Sequence, residues 1–308
     1  TTHCNAGTIS KGKTKKVSAY FSSVLNGESA AYKGTDRIKP GNIEATRNAI
    51  WECWRNAVQA VDEEKLTAPF ATNEPRDTGY WRLPENLEEK ALMPYYFIKK
   101  GEQPKGGYPL FLYMHGSGEK NREWEAGLRL CSSYDDAPSL HFIPQIPNGY
   151  GELYRWAIQS KQWAWEKLLR LAFVNENIDA NRIYFYGISE GGYGSQRLAS
   201  FYADYLAAAG PMAGGEIPFD APAENCGNIG FSLRTGANDF MFARDLLTAR
   251  THELFDSLQQ CYPTEYRHRI ELIPNRGHGI DYSPTTPWLS YFTRVVHPRH
   301  FAWEDFPM

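Results

Sequence analysis

The chain has 308 residues, with 33 Lys and Arg against 36 Asp and Glu, a net charge of −3, and a composition that is 42% hydrophobic and 22% charged. That is the make-up of a globular protein long enough for one large domain and an appendage. The small negative charge argues against a nucleic-acid or anionic-membrane partner, and there is no run of about 18 apolar residues that could span a membrane.

No internal repeat or low-complexity stretch interrupts the chain. Its pattern divides into residues 1–75, an N-terminal helical extension with a linker, and residues 76–308, a larger domain. Lys11 to Lys16 (KGKTKK) is a short basic cluster expected to be a solvated tail. From Asn42 to Leu66, a helix is expected: Ile43, Ile50, Trp54, Ala57 and Val61 fall on one helical stripe, with Val58 beside it and Arg47 interrupting the first turns. Thr67 to Thr78 mixes prolines with turn formers and is expected to be a linker.

Strand signals begin after it. Gly79–Leu83 and Met93–Ile98 are expected to be early antiparallel strands, followed by a Gly/Pro loop over Lys99–Tyr108. Leu110–Met114 is a near-continuous apolar run, as in a strand buried on both faces of a sheet. Ser139–Pro144 is a further strand, Trp156–Phe173 a helix, Arg182–Gly187 a strand and Tyr193–Ala203 a helix. The small-residue run Leu206–Met212 suits a strand, as does Gly230–Arg234, with a long helix over Phe240–Gln260 after it. Arg269–Ile273 is the last strand and Trp288–Val296 a closing helix. Strands alternating with helices imply crossover units on a mostly parallel sheet, an α/β class.

Gly187-Ile188-Ser189-Glu190-Gly191 falls between a strand and a helix. G-x-S-x-G alone is often only a glycine-rich turn, but in this setting it is a nucleophile elbow, which holds the serine in a strained turn above the sheet. Gly187 and Gly191 are required there because a Cβ at either would collide as strand and helix close up. A serine hydroxyl needs a base. His278, flanked by Gly277 and Gly279 in a loop after the last strand, is the candidate. The other histidines are less well placed: His3 in the tail, His141 within a strand, His252 mid-helix, His268 at a strand start, and His297 and His300 past the closing helix at a spacing compatible with a metal pair. Asp239 is the first carboxylate after the Gly230–Arg234 strand and is the candidate acid; Asp245 falls in the following helix and is expected to be a solvated face. The Glu190 N–H, at a helix start, and a second N–H from the loop His115-Gly116-Ser117-Gly118 are expected to form the oxyanion hole, with Ser117 the first choice and Gly116 the second. His115 is expected to anchor that loop. Glycines after a strand can also cradle phosphate, but the His115–Gly118 segment has neither a Walker lysine pattern nor G-x-G-x-x-G, and no metal site or cofactor is read from the sequence.

Leu112–Gly118, Asn177–Gly192 and Ala207–Gly215, with the chain order Ser189, Asp239, His278, resemble the α/β-hydrolase superfamily, and within it the carbohydrate esterase, feruloyl esterase and polyhydroxybutyrate depolymerase-like branch, near predicted peptidases of prolyl oligopeptidase type. The resemblance covers residues 79–296 and implies an α/β-hydrolase catalytic domain over 76–308, with a mostly parallel central sheet flanked by helices and an N-terminal helical extension. It implies a serine esterase that cleaves carboxylic esters through an acyl-enzyme, with a small molecule or an oligosaccharide ester as substrate. A serine peptidase is the alternative, weaker because no size-limiting domain precedes the hydrolase part. A binding protein on a hydrolase scaffold is the other, and such proteins usually lose the serine or the histidine. Tyr150, Tyr154 and Trp156 follow a strand and are candidates for lining the substrate cleft.

Five cysteines, Cys4, Cys53, Cys131, Cys226 and Cys261, show no CxxC spacing, and the odd count leaves at least one thiol free. Aromatic residues make up 14% of the chain; most are expected in the core, with a minority available for stacking on a sugar or aryl ester. The chain starts Thr-Thr-His, as after removal of a leader or at a trimmed boundary, and a periplasmic or secreted location is expected, with the cytoplasm left open.

Overall fold

Strand β3 (Tyr108–Met114) is buried at all seven positions, as its apolar run demands. It lies inside an eight-stranded sheet of order β1-β2-β4-β3-β5-β6-β7-β8, seen in a computed structural model that describes residues 10–34, 37–61, 76–147 and 155–308. β1 (Arg76–Arg82) and β2 (Leu92–Lys100) pair antiparallel, and β2 pairs antiparallel with β4 (Ser139–Pro144). From β4 onward every pairing is parallel, through β3, β5 (Ile178–Ile188), β6 (Ala208–Met212), β7 (Gly230–Gly236) and β8 (His268–Ile273). Helices α3 (Lys120–Ser133), α4 (Gln159–Val174), α5 (Glu190–Phe201) and α6 (Arg244–Cys261) make the crossovers.

From β3 the chain first steps out to β4 and then returns to β5 on the other side of β3. The strand order therefore reverses between β3 and β5, and in open α/β sheets the crevice beyond such a reversal is where ligands bind. Ser189 directly follows β5 and His115 directly follows β3.

Of the aromatic residues, expected mostly in the core, just under half of the described ones are buried, and the rest lie partly or fully at the surface. On one face Trp81 stacks on Phe142 at 5.0 Å and Tyr95 lies 4.6 Å from the same ring. Phe111 lies 4.6 Å from Tyr184 and stacks on His141 at 4.8 Å. His141 is fully buried and structural: its Nε2 donates to Asp136, and its Nδ1 accepts from the Tyr186 hydroxyl at 2.8 Å. Cys131 completes this chain by bonding Tyr186, and burial pushes its thiol pKa up. Cys53, Cys131, Cys226 and Cys261 are all free thiols.

The chain divides into two compact units, Thr1–Leu66 and Thr67–Met308. In the first, α1 (Lys11–Leu25) packs on α2 (Ile43–Val61), with Phe21 edge-on to Trp54 at 5.2 Å. The KGKTKK segment is thus the solvated first turn and a half of a helix, not a tail, because Val17, Tyr20, Phe21 and Val24 recur at helical spacing behind it. On α2 the buried positions among the described residues are Thr46, Cys53, Ala57 and Val58, while Ile43 at the first turn is exposed. The expected ends of that helix, beyond Val61, and the linker up to residue 75 lie outside the described residues; β1 takes up the last three positions of the expected linker.

The closing helix expected over Trp288–Val296 is instead α7, five residues from Thr285 to Leu289. Its continuation is prevented by tertiary claims on the backbone. Arg182 takes the Ser290 carbonyl at 2.8 Å, the Tyr184 hydroxyl takes that of Phe292 at 2.7 Å, and Arg294 N donates to Asn181 O at 2.8 Å.

Candidate active site

At the end of β5 the chain must turn straight into α5, and Ser189 does so at φ 57°, ψ −116°. A non-glycine residue held there costs about 1–3 kcal/mol and persists only where its surroundings over-determine it. Ser189 N donates to Met212 O at 2.9 Å, and Ser189 O accepts from Tyr193 N at 3.0 Å. The glycines on either side allow the close approach: a Cβ on Gly187 would run into the Gly191 carbonyl, and one on Gly191 into that of Met114.

The structure brings Ser189, His278 and Asp239 together from three loops. His278 Nδ1 lies 2.7 Å from Asp239 Oδ2, and its Nε2 lies 3.0 Å from Ser189 Oγ. A carboxylate can only accept, so Nδ1–H donates to Asp239 and Nε2 is left to accept from the serine hydroxyl. Asp239 is buried, while the His278 side chain remains 47% exposed, open to a substrate. The acid and base loops are joined through main chain: Asn238 N donates to Arg276 O at 2.8 Å and Ala237 N to Ile273 O at 2.9 Å. Gly236 lies so close to the carbonyls of Arg276 and Gly277 that no side chain fits there. Asp245 sits in the first turn of α6, and its backbone N–H reaches Asp239 O at 3.3 Å.

Gly116 lies beside Ser189, a Cβ on it falling 3.5 Å from Ser189 Cβ. Glu190, the first residue of α5, has no carbonyl four residues back within the helix to occupy its N–H. His115 is completely buried, its Nδ1–H donating to Gly116 O at 2.7 Å and its Nε2 accepting from Ile146 N at 3.1 Å. Burial lowers its pKa to about 4, so the ring stays neutral and works as a brace for the Gly116–Ser117 loop.

Trp156 does not line a cleft. It is completely buried, donates from Nε1 to His115 O at 2.9 Å and stacks on Trp165, so it supports the loop from within. Tyr150 and Tyr154 lie outside the described residues. Of the possible histidine pair, His300 bonds Glu265 at 2.9 Å and stacks on Tyr262, with no link to His297.

Other contacts at the site are not foreshadowed by any motif. Arg155 grips the Glu190 carboxylate through its Nε at 2.9 Å and Nη2 at 2.6 Å, and its backbone N donates to the same group at 3.1 Å. Arg244, also buried, donates to the other oxygen of Asp239 at 3.0 Å. Between Asp239 and Arg244 the turn bears Phe240, Met241 and Phe242, all about two-thirds exposed, and it takes positive φ at both Phe242 and Ala243. The Phe242 ring covers the Arg244 guanidinium at 5.1 Å.

An eight-stranded, mostly parallel sheet flanked by helices, turning sharply at a serine beyond one of its inner strands, is the α/β-hydrolase fold. No protein-family model and no curated protein sequence matches the chain. Solved structures do share the fold. A thermostable esterase superposes with a TM-score of 0.51 at 23% identity, over 71% of this chain and 64% of that one. A ferulic acid esterase does so with a TM-score of 0.50 at 16% identity, over 70% and 98%. A fluorophosphonate-binding serine hydrolase of Staphylococcus aureus has a TM-score of 0.51 at 11% identity, over 70% and 98%. The chain thus spans about two-thirds, 64%, of the length of the thermostable esterase.

Proposed function

We propose that the protein is a serine hydrolase that cleaves carboxylic esters. The observation that carries this reading is the unbroken hydrogen-bond chain from Ser189 Oγ through His278 to Asp239, starting at a strained elbow. In this reading Ser189 attacks the ester carbonyl while His278 Nε2 takes its proton. Asp239 fixes the imidazole tautomer and stabilises the imidazolium without taking the proton. The tetrahedral oxyanion is met by the Glu190 N–H and by a second N–H from the braced loop, Ser117 first and Gly116 second. Collapse expels the alcohol, which receives the proton from His278. Water then repeats the sequence on the acyl-enzyme, releasing the acid and freeing Ser189.

The favoured substrates are esters of small or aromatic acids on polar alcohols, carbohydrate-bound acyl groups among them. The apolar and aromatic turn at Phe240–Phe242, directly after the acid, supports an aromatic acid. The likeness to a ferulic acid esterase is in keeping with it.

Labelling with a fluorophosphonate probe, followed by mass mapping of the labelled peptide, tests the nucleophile: modification at Ser189 is expected, and equal labelling of Ser189→Ala refutes it. Relative kcat/KM on p-nitrophenyl acetate, methyl ferulate, p-nitrophenyl palmitate and a peptide amide tests the substrate class. A preference for palmitate with interfacial activation overturns the small-or-aromatic-acid reading, and a preference for the amide overturns the ester assignment; either outcome leaves the nucleophile in place.

A further inference from the structure

On α6, His252 and Asp256 stand one helical turn apart, and His268 faces them from the start of β8. Each offers one ligand atom, and these atoms all lie within 4.8 Å of one another. The hydrogen on His268 is fixed by its surroundings. Nδ1 lies 2.7 Å from the Tyr266 carbonyl oxygen, which can only accept, so Nδ1 carries the hydrogen. In the neutral ring Nε2 then presents a lone pair, and it presents it to Asp256 Oδ1 at 3.1 Å. Two acceptors hold each other only through a cation. From the other side His252 Nε2 approaches Asp256 Oδ2 at 3.6 Å. A proton on His268 satisfies one edge of this triangle, whereas a metal ion satisfies all three corners.

We propose that His252 Nε2, the Asp256 carboxylate and His268 Nε2 bind a divalent transition-metal ion of the zinc class, pinning α6 to β8. Tetrahedral zinc with bonds of roughly 2.0–2.1 Å has ligand-to-ligand edges of about 3.3 Å. His268 Nε2 lies 3.1 Å from Oδ1 and His252 Nε2 3.6 Å from Oδ2, each near that value on its own carboxylate oxygen, while the three ligand atoms together lie within 4.8 Å, so the side chains draw in slightly around the ion. Two imidazoles and one carboxylate suit zinc, copper or nickel, not calcium or magnesium. The Tyr266 carbonyl supplies the outer hydrogen bond that orients a metal-binding histidine, and the buried Phe255 ring backs His268 at 5.4 Å. The His268 side chain is 6% exposed against 47% for His252 and 53% for Asp256, so the ion enters from the solvent side with water as its fourth ligand.

The ion's role is structural. α6 begins at Arg244, the residue that holds Asp239, and β8 leads into the His278 loop, so the ion ties the helix after the Asp239 loop to the strand before the His278 loop. His252 lies two helical turns beyond Arg244, roughly 12 Å along the axis, too far for the ion to touch the reacting ester.

The experiment uses the full chain in a Cys261→Ser background, because Cys261 at the end of α6 is an exposed thiol. Chelator-stripped protein is titrated with zinc chloride by calorimetry and melted with and without the metal. One equivalent should bind, and the melting temperature should rise by roughly 5 °C or more at a hundred times the dissociation constant. His252→Ala and Asp256→Asn, both at exposed positions, should each abolish the binding heat and the melting shift. An isotherm unchanged by both substitutions, or no binding heat in the parent, overturns the site.

Discussion

Arg155 and Glu190 form a buried ion pair immediately beside Ser189, with Nη2 2.6 Å from Oε2 and each side chain less than 5% exposed. Because the backbone N–H of Glu190 is the one aimed at the oxyanion in the proposed mechanism, this pair fixes the peptide that performs the stabilisation. Glu190→Gln should leave an uncompensated buried guanidinium and cost about 3 kcal/mol in stability, read by urea denaturation. It should also lower kcat with little change in KM, since the oxyanion exists only in the transition state. Replacing both residues by Met should recover most of the stability and little of the turnover. Equal recovery of both would mean that the pair is structural only.

Replacing Ser189 or His278 with Ala should lower kcat by roughly four to six orders of magnitude. Asp239→Asn should keep the fold and lose about 10⁴ in turnover through the wrong imidazole tautomer, while Asp245→Asn stays within a few-fold. Steady-state kinetics on p-nitrophenyl acetate decide between the two acids, and the opposite ranking refutes Asp239.

Arg244→Met removes the charge-assisted bond to the second oxygen of Asp239 and lets the carboxylate rotate. A bond of that kind is worth about 1.5–3 kcal/mol, so a fall in kcat of roughly 10- to 100-fold is expected, with fluorophosphonate labelling slowed in proportion. Unchanged turnover in a folded variant would show that main-chain contacts alone hold Asp239.

His115 ties stability to pH. Its folded pKa of about 4 lies below the ordinary value of 6.5, so between those values the unfolded chain binds the extra proton. Stability should therefore rise with pH across that window and fall as pH drops through it, by about 3 kcal/mol in all from this one group. Below about pH 4 its contribution is fully lost. Denaturation midpoints measured from pH 4 to 6.5 should slope less steeply for His115→Gln than for the wild type; identical slopes would remove His115 as the source.

The parallel sheet was legible in the sequence where burial leaves no choice of residue. The bounds of β4 match expectation and β3 exceeds it by two residues, both being buried throughout, whereas β5 starts four residues earlier than expected, over Ile178–Asn181, where only Ile178 is buried. α3 was not, although Trp124, Gly127, Leu128 and Cys131 keep helical spacing. Its N-cap is Glu119, whose side chain accepts from Asn121 N and Arg122 N, in place of the usual Ser, Thr, Asp or Asn, and Gly127 weakens the pattern. The serine, acid and histidine could be read because chain order and loop position constrain them. Arg155 and Arg244 could not, because their partners are set by tertiary approach and no spacing rule reports it. Trp156 was misassigned to the cleft for the same reason: an aromatic side chain in a loop reads alike whether it faces solvent or props up a neighbouring carbonyl.

The stitching of the Asp239 loop to the His278 loop has a consequence for how this protein can vary. Asn238 and Arg276 meet through an N–H and a carbonyl, and Gly236 is pressed against the peptide bonds before His278. The spacing of acid and base is thus written in peptide geometry, indifferent to which side chain Asn238 or Arg276 carries. Substitutions at those positions should drift freely, whereas removing one residue from either loop would shift the imidazole by about 3.8 Å, a full Cα step, and disconnect it from the serine. In this part of the molecule, loop length should constrain the geometry more strictly than side-chain identity.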